Sequence, residues 1–376
     1  RLGGTCLNVG CIPTKFWLAA TAPSGLLQAH KRFGSVNGEL AVDFAALQKR
    51  KDRFVKGSSQ SLAKSLQAAG ITVIHGRGRC TGSGGVEVEG ETRMQLRAGD
   101  IILATGSHSA AFPGLEPDGA AVLDSSMLLG LEEVPESLLV IGAGAIGIEF
   151  SDFFAALGVT VTIVEGMPQL VPTDDADIAE DLRKTLQKEG RTCITGRKVA
   201  SVATVEGHAE LRFADGDAET LTARKALVAV GRRPNTQMLG VEACGGKLDS
   251  RGFVIVDELL QAAPHVYAVG DVNGRVLLAH AAEPQGAWAA RHILGRESGS
   301  YVSGPVPACI FGGTEIMRVG KSARDVQAEG GRPFVSKAPF SINPIAQAYG
   351  TSSGFAKAVW DGEALVGMAA IGHAAA

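Results

Sequence analysis

The segment of residues 138–165 restricts the possible folds most. The pattern predicts a buried strand at Leu138–Ile141, a helix at Ile148–Leu157 and a second strand at Val159–Glu165. Between the first strand and the helix stands a G-x-G-x-x-G run, Gly142-Ala143-Gly144-Ala145-Ile146-Gly147. A strand, a glycine-rich turn, a helix and a strand within about 30 residues predict a βαβ unit. Such a unit implies an α/β fold with a parallel sheet and a right-handed crossover.

The same turn predicts a dinucleotide site. Its glycines allow a tight turn and let a pyrophosphate approach the helix N-terminus. Glu165 closes the second strand about 20 residues later, where an acidic side chain accepts hydrogen bonds from the adenosine ribose hydroxyls. It would repel a 2′-phosphate, and no arginine stands among Gly166, Met167 and Gln169. We therefore expect NAD rather than NADP, with a glycine-rich turn that binds no nucleotide as the alternative.

A pair of cysteines near residue 1 is the second informative feature. Cys6 and Cys11 are separated by four residues, and Cys11 abuts a predicted helix start. Pro13 suits a first helical turn, and the helix dipole favours a thiolate at Cys11. Lys15 lies four residues on, so it shares a helix face with Cys11. These features predict a reversible disulfide with one activated sulfur; a structural disulfide or a zinc site are the alternatives.

Composition narrows the class of protein. The net charge of −3 favours neither a nucleic acid nor an anionic membrane as partner. No apolar run reaches the roughly 18 residues that span a bilayer. The remaining cysteines are scattered, which predicts buried, inert thiols and no metal site: Cys80, Cys193, Cys244 and Cys309. This cysteine usage predicts a reducing compartment, and we expect a cytoplasmic protein.

The order of predicted elements suggests several domains. Helices are predicted at 12–33 and 43–69, followed by short strands at Ile71–His75, Val86–Glu89 and Thr92–Leu96, the last two joined at Gly90, and by an apolar strand at 101–107. A loop rich in Pro, Gly and acidic residues and the run Gly231–Asn235 mark boundaries. The predicted domains are 1–111, 112–233, 234–300 and 301–376, the last an α+β unit.

The wording of the cysteine segment resembles a known family. Cys6-Leu7-Asn8-Val9-Gly10-Cys11-Ile12-Pro13-Thr14-Lys15 is similar to the redox-active segment of class I pyridine nucleotide–disulfide oxidoreductases, most closely the dihydrolipoamide dehydrogenase type. This resemblance implies two Rossmann-like domains, one for FAD and one for NAD as in glutathione reductase, and a C-terminal α+β dimerisation domain. It also implies a homodimer that oxidises dihydrolipoamide, free or on a carrier protein, through Cys6 and Cys11.

The resemblance assigns roles to further residues. Lys15 and Glu149 match a lysine–glutamate pair beside flavin N5, where a cation stabilises negative charge; alone, each would be read as a surface charge. Asp271 matches a ribitol-binding aspartate; alone, it would be read as a helix cap. The other matched FAD contacts are Gly78, Thr105, Gly106, Ser107, Leu277, Leu278, Ala279 and His280. The matched NAD contacts beyond the glycine run and Glu165 are Val199 and Gly231.

The resemblance also implies a mechanism and two alternatives. Dihydrolipoamide would attack Cys6, expected to be the more exposed sulfur, and a histidine of the partner subunit would take the proton. That histidine and a first βαβ unit for FAD are expected outside residues 1–376. Residues 311–315 depart from the family's Thr-x-Pro-Glu pattern, and Pro284 interrupts a stretch usually richer in Glu or Ser. A mercuric or glutathione reductase type, or a non-catalytic fragment that retains the NAD domain, are the alternatives.

Overall fold

The computed structural model describes residues 1–82 and 84–376, which form two compact units. The first unit contains Arg1–Cys6, Gly57–Ala110 and Arg232–Val306. The second unit contains Leu7–Lys56, Ala111–Gly231 and Pro307–Ala376. The chain passes between the units close to the predicted boundaries near residues 111 and 233. The division into four domains stays a prediction.

The helices and strands of the described residues have the following bounds. The helices are α1 Gly4–Val9, α2 Cys11–Arg32, α3 Phe44–Ala68, α4 Ser125–Leu128, α5 Ala145–Ala156, α6 Ala176–Lys188, α7 Ala279–Ile293, α8 Ala323–Ala328 and α9 Pro344–Ala348. The strands are β1 Arg77–Gly82, β2 Gly85–Glu89, β3 Met94–Arg97, β4 Ile101–Leu103, β5 Ser107–Ser109, β6 Val122–Leu123, β7 Ser137–Ile141, β8 Thr160–Glu165, β9 Thr192–Thr195, β10 Val199–Val205, β11 His208–Phe213, β12 Thr220–Ala223, β13 Lys225–Val228, β14 Arg232–Pro234, β15 Gln261–Ala263, β16 Val266–Ala268, β17 Ala308–Ile310, β18 Glu315–Gly320, β19 Pro333–Pro339, β20 Gly354–Asp361 and β21 Ala364–Gly372.

A five-stranded parallel sheet forms the centre of the second unit. Its strand order is β6-β13-β7-β8-β9, and every neighbouring pair is parallel. Four of the five residues of β7 are buried, which is typical of a parallel strand covered on both faces. The predicted βαβ unit is confirmed, with β7 and β8 as its strands and α5 as its helix.

Aromatic packing joins α2 to α5 in this unit. The Trp17 ring is fully buried and stacks on Phe153, with ring centroids 4.5 Å apart. Phe150 and Phe154 meet the same indole at steeper angles. Buried aromatic rings contribute a large apolar area, and their packing fixes one helix against the other. This contact places the start of α2, with Cys11 and Lys15, against the helix that follows the glycine-rich turn.

A five-stranded antiparallel sheet ends the second unit. Its order is β17-β18-β21-β20-β19, with α8 and α9 between strands, so the predicted α+β unit is confirmed. Lys357 of β20 is almost fully buried, and its Nζ lies 2.7 Å from Asp175 and 2.6 Å from Asp177. Because a buried ammonium needs paired charges, these contacts tie β20 to the N-terminus of α6.

The first unit contains three smaller sheets. Strands β1, β2 and β3 form an antiparallel sheet, and β2 and β3 are the hairpin predicted around Gly90. The predicted strand Ile71–His75 is wrong, since the first strand of this sheet begins at Arg77. Arg77 pairs with Glu89, which is the last residue of β2. Residues 71–75 precede Arg77 and therefore lie beyond the end of β2, the strand they would have to pair with. Without cross-strand pairs, an apolar run does not form a strand.

The strand predicted over residues 101–107 is divided in two. β4 pairs in parallel with β16, and β5 pairs with β14 in a separate two-stranded sheet. Between them Gly106 has a φ of +68°, which redirects the chain at the carboxyl end of β4. The turn places the side chains of residues 105–107 at the end of a strand, where open α/β sheets bind ligands.

Candidate functional site

The glycine-rich turn after β7 leaves backbone open for a ligand. Gly142 has a φ of +100°, and a Cβ there would lie 2.4 Å from the Ala229 carbonyl oxygen. A Cβ at Gly147 would lie 2.0 Å from the Gly142 carbonyl oxygen, so both positions require glycine for packing. Gly144 is the N-cap of α5, and a Cβ there would meet no atom within 4 Å. An open backbone at a helix N-terminus fits a pyrophosphate.

Glu165 joins the end of β8 to this turn. One carboxylate oxygen accepts a hydrogen bond from the Ala143 N–H at 2.8 Å, and the other accepts one from Met167 at the same distance. The side chain is largely buried, with 8% of the residue exposed. Each oxygen of an ionised carboxylate can accept more than one hydrogen bond, so ribose hydroxyls remain acceptable donors. The residues present therefore fit NAD.

The two weaker NAD predictions lie near the same edge of the parallel sheet. Gly231, with a φ of +119°, follows β13 two residues after the Ala229 carbonyl that touches the turn. Val199 begins β10, next to Lys198, whose side chain borders Gly166. Their roles as NAD contacts stay predictions.

The two predicted redox cysteines stand at helical positions. Cys6 lies inside α1, and Cys11 is the first residue of α2 after the N-cap Gly10. The expectation that Cys6 is the more exposed is wrong, because Cys6 is half-buried and Cys11 is exposed. Helical side chains lean towards the N-terminus, so no earlier turn of α2 covers the side chain of its first residue.

Lys15 and Glu149 form the predicted pair. The Lys15 Nζ lies 2.6 Å from Glu149 Oε1, although the residues are 134 positions apart. Glu149 is buried, which excludes the reading of a surface charge for this residue. Burial raises the pKa of the Glu149 carboxyl, while the Lys15 ammonium and the Phe311 N–H oppose that rise. The pair stands one helical turn after Cys11.

Phe311 is a residue of this site that the sequence did not reveal. Its N–H donates to Glu149 Oε1 at 3.1 Å, and its ring centroid lies 4.1 Å from the Lys15 Nζ. The next anchor is Asp152, which accepts a hydrogen bond from the Gly313 N–H at 2.7 Å. The sequence carried one signal for this contact: Glu149 and Asp152 are three residues apart on α5, and this spacing puts both carboxylates on one helix face.

The predicted flavin residues other than Lys15 and Glu149 fall in the first unit, where Asp271, Ser107 and Arg232 form a polar cluster. The Ser107 hydroxyl donates to Asp271 Oδ2 at 2.5 Å, and Arg232 Nε donates to that hydroxyl at 2.6 Å. Asp271 makes no capping bond in its 3-10 turn, Gly270–Asn273, so the helix-cap reading is not observed. A carboxylate and a hydroxyl can form hydrogen bonds with the hydroxyl groups of a polyol, so these side chains fit the ribitol of FAD. Arg232 was missed, since only tertiary pairing brings β14 to β5.

The remaining flavin predictions lie elsewhere in this unit. The Thr105 hydroxyl donates to the Asn235 carbonyl at 2.9 Å, and the Gly106 carbonyl accepts from the Asn235 N–H at 2.9 Å. Leu277, Leu278, Ala279 and His280 stand at the N-terminus of α7. Gly78 lies in β1, opposite Val88. Their contacts to FAD stay predictions.

Metal-binding clusters and membrane-spanning helices are both absent from residues 1–82 and 84–376. No group of three or more His, Cys, Asp and Glu side chains among them could hold a metal ion. No helix in this part of the chain combines the length and apolar character that a membrane crossing needs.

Fold and site together define an α/β dinucleotide-binding oxidoreductase. Residues 1–286 match the profile of pyridine nucleotide-disulphide oxidoreductases, and residues 306–376 match the dimerisation domain of those proteins. The chain belongs to this family, as the cysteine segment predicted, and is a flavoprotein disulfide oxidoreductase. The family uses FAD and NAD(H).

Individual proteins and solved structures that are similar to this chain support the same family assignment. A dihydrolipoyl dehydrogenase of Chlorobaculum tepidum is 37% identical over 380 residues, which cover 99% of this chain and 81% of that protein. One of Bacillus subtilis is 33% identical, covering 96% and 79%. The crystal structure of LpdA from Mycobacterium tuberculosis matches with a TM-score of 0.88 and 26% identity over 99% of this chain and 82% of that one. The HOCl-induced flavoprotein disulfide reductase RclA of Escherichia coli matches at 0.84 and 27%, covering 98% and 81%. The predicted fold class is confirmed.

Proposed function

We propose that this protein oxidises dihydrolipoamide to lipoamide through Cys6 and Cys11, with FAD and NAD as cofactors. The observation that carries the proposal is the arrangement at the start of α2. Cys11 occupies the helix N-terminus, and Lys15, one turn later, is held by the buried Glu149. A thiol that must leave as an anion and a fixed cation that can stabilise negative charge are the two groups that this reaction needs.

The thiol chemistry follows from the position of the cysteines. With Cys6 and Cys11 joined as a disulfide, a thiolate of dihydrolipoamide attacks the Cys6 sulfur and the Cys6–Cys11 bond breaks. Cys11 leaves as a thiolate, which the helix dipole stabilises, and a more stable leaving thiolate leaves faster. The second substrate thiol then attacks the mixed disulfide, which releases cyclic lipoamide and the Cys6 thiol. Attack at the Cys6 sulfur is proposed because Cys11 is the more stable leaving thiolate. Exposure does not support this choice, because Cys11 is the more exposed residue.

Glu149 and Glu165 have separate roles: Glu149 pairs with the Lys15 ammonium, and Glu165 disfavours NADP. The cluster that contains Asp271 and Ser107 would hold FAD, which would supply the electron acceptor for the Cys6 and Cys11 thiols and the hydride donor for NAD. Glu149 attracts the Lys15 ammonium, and the burial of the carboxylate strengthens that attraction. Glu165 accepts hydrogen bonds from the hydroxyls of an adenosine ribose and repels a 2′-phosphate, which favours NAD over NADP.

The proposal includes a homodimer that acts on free lipoamide or on the lipoyl group of a carrier protein. Residues 306–376 match a dimerisation domain, and relatives named dihydrolipoyl dehydrogenase support the substrate. A histidine of the partner subunit would take the substrate proton. The cytoplasmic location stays a prediction.

NADH formation from NAD and dihydrolipoamide tests the proposal on purified FAD-loaded protein. Cys6→Ser and Cys11→Ser should each abolish turnover, because neither can form the disulfide. Cys193→Ser is the matched control, since this half-buried cysteine lies in β9 and not in α1 or α2, and it should retain activity. Turnover by the double serine variant would refute the mechanism. Preference for glutathione disulfide with NADPH would favour the glutathione reductase alternative.

A further inference from the structure

Lys15 has two partners in the second unit: a carboxylate and an aromatic ring. Its Nζ lies 2.6 Å from Glu149 Oε1 and 4.1 Å from the Phe311 ring centroid. A cation within about 6 Å of a ring centroid is attracted by the ring quadrupole. About a third of the Lys15 side chain is exposed, and a single ion pair at such a site does not by itself fix a flexible lysine.

The loop that carries the ring is anchored to α5 at two points. The Phe311 N–H donates to Glu149 Oε1 at 3.1 Å, and the Gly313 N–H donates to Asp152 Oδ2 at 2.7 Å. The buried Arg191 donates to the other Asp152 oxygen at 3.1 Å, which fixes that carboxylate in turn. Hydrogen bonds to charged groups are stronger than neutral ones, so the loop backbone is held close to the helix.

Gly312 lies where the loop approaches α5 closely. Gly312 has a φ of +151°, and a Cβ there would lie 2.8 Å from Asp152 Oδ2. A side chain at this position would be strained by the backbone and would require the Asp152 carboxylate or the loop to shift. The glycine and the aspartate form one arrangement whose result is a fixed position for the Phe311 ring.

We infer that Phe311 is a positioning residue for Lys15: its ring and the Glu149 carboxylate together hold the ammonium at one place beside α5. This inference rests on the proposed role of Lys15 for its functional meaning. Its structural content does not, because the ring, carboxylate and ammonium are all groups of this chain. Without the ring, the Lys15 side chain spends more time away from Glu149, in solvent.

Acylation of Lys15 tests the inference directly. FAD-loaded protein without substrate is treated with an acetylating succinimidyl ester, and the rate at Lys15 is read from peptide mass spectra relative to the exposed Lys64. Phe311→Leu keeps the apolar volume and removes the ring quadrupole, so the relative rate should rise about five-fold. Phe311→Tyr keeps the ring and should restore the wild-type rate.

A matched ring and lysine elsewhere in the unit provide the control. The Lys337 Nζ lies 4.0 Å from the Phe355 ring centroid. Phe355→Leu should raise acylation at Lys337 and leave Lys15 unchanged. A Lys15 rate that stays within two-fold of wild type in Phe311→Leu overturns the inference, as does an equal rise at Lys15 and Lys337 in that variant. Because the assay needs no turnover, a protein inactive towards dihydrolipoamide would refute the proposed function and leave this result readable.

Discussion

Adding one methyl group at Gly144 separates nucleotide binding from folding. A Cβ at this position meets no atom within 4 Å, and the φ of −77° suits alanine. Alanine restricts the unfolded chain, a gain of about 0.4–1 kcal/mol, and is a poorer N-cap by about the same amount. The two contributions nearly cancel, so the free energy of unfolding should change by less than about 0.5 kcal/mol.

The same methyl group should weaken NADH binding strongly. It would stand where the pyrophosphate approaches the first turn of α5 and would displace at least one backbone hydrogen bond to a charged oxygen. Such a bond contributes about 1.5–3 kcal/mol, which corresponds to a rise in Kd of roughly 10- to 150-fold.

Gly147→Ala is the comparison variant. Its Cβ would lie 2.0 Å from the Gly142 carbonyl oxygen and 3.1 Å from Val140 Cγ1, so the turn must shift to admit it. Overpacking of this kind costs about 1–3 kcal/mol or more. We expect this variant to lose stability as well as NADH affinity.

Calorimetric titration with NADH and urea unfolding measure the two effects on each variant. Gly144→Ala should bind NADH weakly and unfold at the wild-type urea midpoint. Wild-type NADH affinity in Gly144→Ala would refute the assignment of the nucleotide to this turn. A large loss of stability in that variant would refute the argument that the position is open for packing.

Two further predictions concern ionisable groups in the first unit. The guanidinium groups of Arg93 and Arg79 lower the pKa of Glu87 from 4.5 to about 2, so the folded state favours the carboxylate. The contribution of the Glu87 carboxylate to stability is complete above pH 4.5 and is lost as the pH falls towards 2. The difference in unfolding free energy between wild type and Glu87→Gln should therefore vanish over that window. A difference that stays constant with pH would contradict this prediction. Burial, assisted by the neighbouring Cys244, raises the pKa of Cys80 to about 12. In the folded protein with Cys6 and Cys11 reduced, iodoacetamide should label the exposed Cys11 and leave Cys80 unmodified until urea unfolds the chain. Equal labelling rates would count against this.

The glycine-rich βαβ unit could be predicted from the sequence because its signals are local. Apolar runs, glycine positions and the closing Glu165 lie within one short segment, and β7, α5 and β8 form there as expected. The Lys15–Glu149 pair could be predicted only from the resemblance, since 134 residues separate its members. Local pattern carries no information about which distant helix receives a side chain.

The errors have the same origin. The apolar run at 71–75 has strand composition, but pairing decides whether a strand forms, and β2 ends before reaching it. Arg232 and Phe311 join their clusters only through tertiary contacts, with Ser107 and with Lys15. The relative exposure of Cys6 and Cys11 likewise depends on which residue begins a helix.

In the proposed reaction, dihydrolipoamide reduces a disulfide between Cys6 and Cys11. Oxidised, FAD-loaded protein is mixed anaerobically with one equivalent of dihydrolipoamide in the absence of NAD, quenched with iodoacetamide and analysed by peptide mass spectrometry. Lipoamide should form while Cys6 and Cys11 become alkylated together, with no change at Cys309. Formation of lipoamide while Cys6 and Cys11 stay linked to each other would contradict it.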